Sequence, residues 1–408
     1  MGKITKKNLN LDKNPNLKST KKKWVGEIDF EETNNISNDP KTLLNNDLLV
    51  WKGNELSQDF LRTKNEDERD EIAKDVYNFW RKYDFNEINF SEKDIKAGWN
   101  ALCKFKPTVE IVNGITYVKN TGSSGSQIHR HFFPNIIKIS DARPSIYDNL
   151  NDKENLWHII RNRIGNTLLY NDDRDGIAVQ YPMAMNISQL VIGGKNSALS
   201  CMGSVFSSSL AKSIYDKFVK PGDKVLDYSC GFGNRLVGLM SLERNNKYYG
   251  YEPNTETYKN LLKLKDYFKF DATIKNCGSE VEVFDEKFDF IFSSPPYFTA
   301  EKYCDEITQS INMYPKYEDW LEKYWHKTVK NIKCMSKDST IFGINAGNQS
   351  NELMRKLEKD MNKIIEYEGF ELSEKWYMKT SKSHLSGKKG NDSKKEKLEN
   401  IRFYKLNV

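Results

Sequence analysis

In the second half of the chain, short continuous apolar runs alternate with longer stretches whose apolar residues recur at helical spacing. Residues 224–228 form one such run, which ends in Gly231-Phe232-Gly233 and leads into a helical stretch through Leu242. A second strand is predicted at 247–252 and a helix at 254–268, with further strands at 273–276, 288–293 and 339–346. Amphipathic helices fall between at 317–335 and 351–368. Strands and helices alternating at this spacing predict a doubly wound α/β sheet. The end of the chain differs. Residues 371–380 and 401–406 read as two strands with no helix between them, a C-terminal antiparallel hairpin around a polar Lys/Gly/Ser loop.

The first half is less regular. Ile72, Val76, Phe79 and Trp80 set a helical face across 66–83, and 114–119 alternates like a strand after a turn at Asn113-Gly114. Residues 122–125 form a Gly/Ser loop. The first forty residues are rich in Lys and Asn, with Lys21-Lys22-Lys23 among them and few apolar anchors. Such a segment cannot bury enough surface to offset its ordering entropy, so it reads as a flexible basic tail, either solubilising or a nucleic-acid arm. The expected organisation is a tail over 1–45, an N-terminal α+β domain over 46–200 and the α/β domain over 201–408.

Composition narrows the class. A chain of 408 residues accommodates two domains, and 12% aromatic residues exclude global disorder. Its 63 Lys and Arg against 57 Asp and Glu leave +6, which permits a polyanionic partner without establishing one. No run approaches the roughly 18 apolar residues that a membrane helix needs, so no membrane contact and a cytoplasmic location are expected. Six cysteines with no CxxC pair argue against a disulfide framework and against structural zinc, and no metal is expected.

The first α/β turn carries candidate chemistry. Open α/β sheets bind ligands at the carboxyl ends of their strands. Here that end presents Asp227, Ser229, Gly231 and Gly233, and two glycines let a backbone approach a ligand closely. Glu252 ends the second strand, where an acid grips ribose hydroxyls. Position 236 is Leu where a dinucleotide fingerprint wants its third glycine, and Asp227 would set a negative charge beside phosphates. A ligand with ribose and a positive charge but no phosphate suits the site better, and S-adenosylmethionine has that chemistry.

The strand at 288–293 runs into Ser294-Pro295-Pro296-Tyr297. Two prolines stiffen the turn and hold its carbonyls outward, and an aromatic ring follows. Methylation of a base amine requires fixed acceptors for the amino hydrogens and a ring to stack the base upon. Ser294 and the Pro295 carbonyl would draw the conjugated nitrogen lone pair toward a sulfonium methyl, a gain of orientation and electrostatics rather than of strong base.

These residues resemble the amino-methyltransferases of DNA, class I S-adenosylmethionine enzymes with a (D/N/S)PPY motif. Residues 227–233 are similar to their first motif, Glu252 to the ribose-binding acid and 294–297 to the catalytic motif. The stretch 206–218 resembles the segment that helps enclose methionine, which brings in Phe206, and Glu280 sits where a polar group meets adenine. The spans VLDYSCGFGNRL, YYGYEPNTETY and FSSPPYFTAEKYCDEITQS are similar to a group of phage and bacterial DNA methylases; the likeness covers roughly residues 200–408. It implies a class I Rossmann-like sheet and methyl transfer from S-adenosylmethionine to a flipped base in DNA. With Ser at the first motif position, N4-cytosine is favoured over N6-adenine. Related Pro-Pro-Tyr motifs also serve RNA or protein amines, and a non-catalytic nucleic-acid binder with a relic cofactor pocket is the reading from another class.

The remaining candidates are weaker. His129 and His131 flank Arg130 and would share one face of a strand, in packing or phosphate contact. Residues 301–309 read as a loop over the flipped base or as a solvated connection, and Trp320 and Trp325 read as core. Lys382, Lys388, Lys389, Lys394 and Lys395 crowd the loop of the final hairpin, where flexible cations reward phosphate contact.

Overall fold

Val225, Phe290 and Phe292 pack into one apolar cluster while their neighbours Leu226 and Ile291 pack into another, so the central strands are buried on both faces. The computed structural model describes residues 30–120, 124–140, 143–164, 182–196, 205–300, 302–348, 352–380 and 398–407. Its strands are β1 (Val50–Trp51), β2 (Asn54–Glu55), β3 (Val109–Val112), β4 (Ile115–Asn120), β5 (Lys224–Asp227), β6 (Lys247–Tyr251), β7 (Ala272–Lys275), β8 (Phe288–Ser293), β9 (Ser336–Asn348), β10 (Phe370–Thr380) and β11 (Leu398–Leu406). The first two form a small hairpin. The other nine make one sheet in the order β3-β4-β10-β11-β9-β8-β5-β6-β7.

From β7 to β9 every pairing is parallel, and β11 runs antiparallel between β9 and β10. The fold is therefore the expected α/β class: a Rossmann-like doubly wound sheet of the class I methyltransferase kind with a C-terminal antiparallel hairpin. After β5 the chain steps outward to β6 and β7, then returns to the other side of β5 with β8 and β9. The reversal opens a crevice beyond the carboxyl ends of β5 and β8.

Local sequence explains the flanking elements. The helix Glu66–Trp80 starts at a capping box in which the Asn65 side chain accepts from Glu68 N and Glu68 reaches back to Asn65 N. Asn113 and Gly114 both adopt positive φ, as a two-residue hairpin turn requires, and so join β3 to β4. Asn254 caps the helix Thr255–Phe268, which closes at Lys269 in the left-handed region. Trp320 and Trp325 are buried in the core, as expected.

The first half does not stand apart from the second. β4 lies parallel beside β10, with Thr116 opposite Trp376, so the β3–β4 hairpin extends the main sheet at its β10 edge. One apolar cluster runs from Leu43, Ile72 and Trp80 through Ile128 and Leu210 to Val225 and Phe403. The described parts of 46–200 and 201–408 share a sheet and a core. The expected strand around His129 is a helix, Ser126–Phe132, which starts at Gly125 in the left-handed region. Residues two apart diverge on a helix, so His129 and His131 do not share a face.

Candidate active site

β5 delivers Asp227 to the base of the crevice, and Gly231 and Gly233 follow with φ of +53° and +68°. At Gly233 the positive φ favours glycine, and a Cβ would crowd Leu261 and Leu264 at 3.0 Å where the loop passes under the helix beside it. The helix Asn234–Met240 begins at once and turns Asn234 and Arg235 into the crevice.

Asp227, expected at the ligand, lies beneath the lining of the crevice. Its carboxylate is fully buried and accepts from Arg235 Nε at 2.7 Å and Nη2 at 3.1 Å, from Tyr248 Oη at 2.7 Å and from Ser293 Oγ at 2.7 Å. A buried carboxylate is tolerated when it is paired and its lone pairs are filled, and both conditions hold here. Asp227 therefore fixes Arg235, which also donates to the Ser229 carbonyl, and ties the end of β8 to the end of β5.

Above this hub opens a cavity of about 1050 Å³, its mouth included. Phe206, Ser229, Gly231, Glu252, Glu280, Ser294 and Pro296 line it, so the crevice gathers residues from five separated stretches of sequence. Gly233, Pro295 and Tyr297 do not line this cavity; Gly233 shapes the loop and Tyr297 supports Ser294. Asn234, Arg235, Thr257, Phe298, Gln309 and Tyr324 also line it, beyond the residues that the sequence motifs single out. Gln309 falls in the stretch already singled out after the SPPY turn. Tyr324 sits in a seven-residue π-helix, Trp320–His326, which shifts helical register and has no simple sequence signal.

Two acids dominate the electrostatics. Glu252 Oε2 accepts from Gly231 N at 2.8 Å and Oε1 from Asn254 N at 2.9 Å, which locks the acid to the glycine loop. Burial nonetheless pushes its pKa up to about 7 against the lowering effect of these bonds. Burial likewise pushes Glu280 up to about 7. Glu280 Oε2 lies so close to Gly278 that a Cβ there would sit 2.1 Å away, so any larger residue would displace the Glu280 carboxylate. Glu280 Oε2, Asn234 Oδ1 and Gln309 Nε2 are buried with no partner among the described residues. Unpaired buried polar atoms are costly and mark a site built for a polar ligand. Arg235 is the sole Lys or Arg among the described lining residues, and it is paired with Asp227.

At the end of β8, Ser294 Oγ lies 2.7 Å from Tyr297 Oη, and Tyr297 Oη donates to the Asn345 carbonyl at 2.9 Å. A phenol has one proton and it is committed to that carbonyl. Ser294 must therefore donate to Tyr297, and since Asn345 Nδ2 donates to it at 3.5 Å, the serine oxygen keeps one lone pair for anything else in the cavity.

Lys382, Lys388, Lys389, Lys394 and Lys395 lie outside the described residues, as do residues 1–29 of the expected tail. Among the described residues no helix is long and apolar enough to cross a membrane.

No family model matches the chain, and no curated protein matches it. Solved structures that align with it include TrmN from Thermus thermophilus, at 11% identity over 49% of this chain and 49% of that one, with a TM-score of 0.32. A methyltransferase from Pyrococcus furiosus aligns at 14% identity over 48% of this chain and 80% of that one, with a TM-score of 0.32. A SAM dependent methyltransferase from Aquifex aeolicus aligns at 13% identity over 48% and 89%, with a TM-score of 0.33. This chain spans about half the length of TrmN. Its fold class rests on its own strand order.

Proposed function

We propose that this protein is an S-adenosylmethionine-dependent methyltransferase acting on the exocyclic amine of a base flipped from DNA, with N4 of cytosine favoured over N6 of adenine. The observation that carries the reading is the proton chain from Ser294 through Tyr297 to the Asn345 carbonyl. It turns Ser294 into an acceptor at the rim of a cavity built around two carboxylates, and an amine, unlike a carboxylate or an ether, has N–H groups to give it.

S-adenosylmethionine fits the residues present and, when bound, supplies an electrophilic methyl group on sulfur. Glu252 would hold the ribose hydroxyls: its oxygens each keep a lone pair after accepting one backbone N–H. Glu280 and Gln309, with their unpartnered atoms, would receive the base edge of the cofactor, and Asn234 and Arg235 its amino-acid end. Ser294 Oγ would accept one hydrogen of the target amine and orient the nitrogen lone pair, while the fixed φ of Pro295 and Pro296 holds the turn rigid. The favoured cytosine rests on the resemblance of Ser294 to the serine form of the motif.

Transfer of labelled methyl to DNA, RNA and protein tests this. We expect label in DNA with the wild type and none with Ser294→Ala plus Tyr297→Ala. Label confined to RNA or protein would overturn the substrate, and equal label in wild type and variant would overturn the site. Cofactor binding without any transfer would favour the non-catalytic binder.

A further inference from the structure

The glycine loop leans on the first half of the chain. His129 Nδ1 lies 3.0 Å from the Phe232 carbonyl and Nε2 lies 2.6 Å from Ser208 Oγ. A carbonyl only accepts, so Nδ1 carries the proton and Nε2 accepts from the serine hydroxyl. The ring is buried, and burial draws its pKa down to about 4 against the opposing effect of the Phe232 bond, so it stays neutral near pH 7.

The same segment makes two more contacts with the walls of the cavity and one with the stretch beside it. Phe133 stands edge-on to Phe232 at 5.9 Å, and its Cζ lies 3.2 Å from where a Cβ at Gly233 would be. Asn135 Nδ2 donates to Thr257 Oγ1 at 2.8 Å, and Thr257 lines the cavity. Ser140 and Lys302 exchange backbone bonds of 3.0 and 2.8 Å, tying the segment to the stretch after the SPPY turn.

We infer that His129 is a positioning residue for cofactor binding: its Nδ1–H holds the Phe232 carbonyl, and with it the left-handed backbone at Gly231 and Gly233, in the shape that receives the ligand. Phe232 is itself nearly buried, so without that donor its carbonyl must find another partner and the peptide planes on both sides turn with it. The inference rests on the proposed reading of the cavity as an S-adenosylmethionine site.

Two substitutions separate this role from packing. In His129→Asn the amide nitrogen falls near the place of Nδ1 and keeps the donor to Phe232. In His129→Gln it falls near the place of Nε2 and does not. Calorimetry with S-adenosylmethionine on the full chain should give His129→Asn within fivefold of wild-type Kd, and His129→Gln and His129→Ala weaker by more than fivefold. Gln and Ala within fivefold, or Asn as weak as Ala, would overturn the inference. A wild type that binds no S-adenosylmethionine would instead overturn the cofactor reading, and this role with it. If the variants do not fold, ¹⁵N spectra of the wild type decide, since the chain has only 5 histidines. The Nδ1-protonated tautomer with signals that shift on adding S-adenosylmethionine is expected; the Nε2 tautomer, or no shift, would overturn it.

Discussion

Single residues in this crevice divide into those that hold the frame and those that meet a ligand, and sequence position alone does not separate them. Asp227 stands where a ligand-binding acid is expected, yet Arg235, eight residues on and second in the helix that follows, takes its charge. Arg235→Met should leave that carboxylate buried and unpaired and lower stability by about 3–5 kcal/mol, read from chemical denaturation. Ser294 is the counterpart. Ser294→Ala should cut turnover by roughly 10²–10³-fold with cofactor Kd unchanged, whereas Tyr297→Phe, which frees the serine proton, should cost only about tenfold. Glu280 ties function to pH. Its pKa rises to about 7 on folding from 4.5, so the native state binds more protons between those values and stability falls as pH rises through that window. Glu280→Gln should therefore raise stability by about 1–3 kcal/mol at pH 8, with the gain vanishing below pH 4.5. Cofactor affinity of the wild type should fall as pH drops below about 7, where Glu252 and Glu280 take up protons and accept fewer hydrogen bonds. A melting series and calorimetry across pH check both.

Among the elements, β5, β6 and β8 were legible because apolar runs bounded by turn residues are what a strand in the middle of the sheet must look like. The C-terminal hairpin was legible for the complementary reason, two strands with no helical stretch between. The place of β3 and β4 was not. Thr116 pairs with Trp376, and nothing local encodes a partner so distant in sequence. Nor was the helix at His129, since Gly125 starts it with no side-chain cap and the alternation of His, Arg and His mimics a strand. The consequence is testable. Residues 201–408 alone would expose Trp376, Met378 and the helix Ser208–Phe218, which the first half covers. That fragment should show no cooperative thermal transition by circular dichroism and bind no S-adenosylmethionine; a cooperative melt with wild-type affinity would contradict the shared core.

For the whole molecule, a surplus of +6 says little by its total. Its placement says more: lysines gather in the first forty residues and between the last two strands, at 382, 388, 389, 394 and 395. If those cations meet phosphates, DNA binding is weak and salt-sensitive, and replacing these five lysines by glutamine should lower the slope of log K against log salt by several units with cofactor affinity unchanged. At the end of β8 a proton chain makes Ser294 an acceptor beside a carboxylate-lined cavity. The most direct measurement is mass spectrometry of nucleosides from DNA incubated with labelled S-adenosylmethionine and either the wild type or Ser294→Ala. Labelled N4-methylcytosine from the wild type, reduced at least a hundredfold in the variant, is the predicted result. A methyl group on a ring carbon, or equal yields from both proteins, would contradict it.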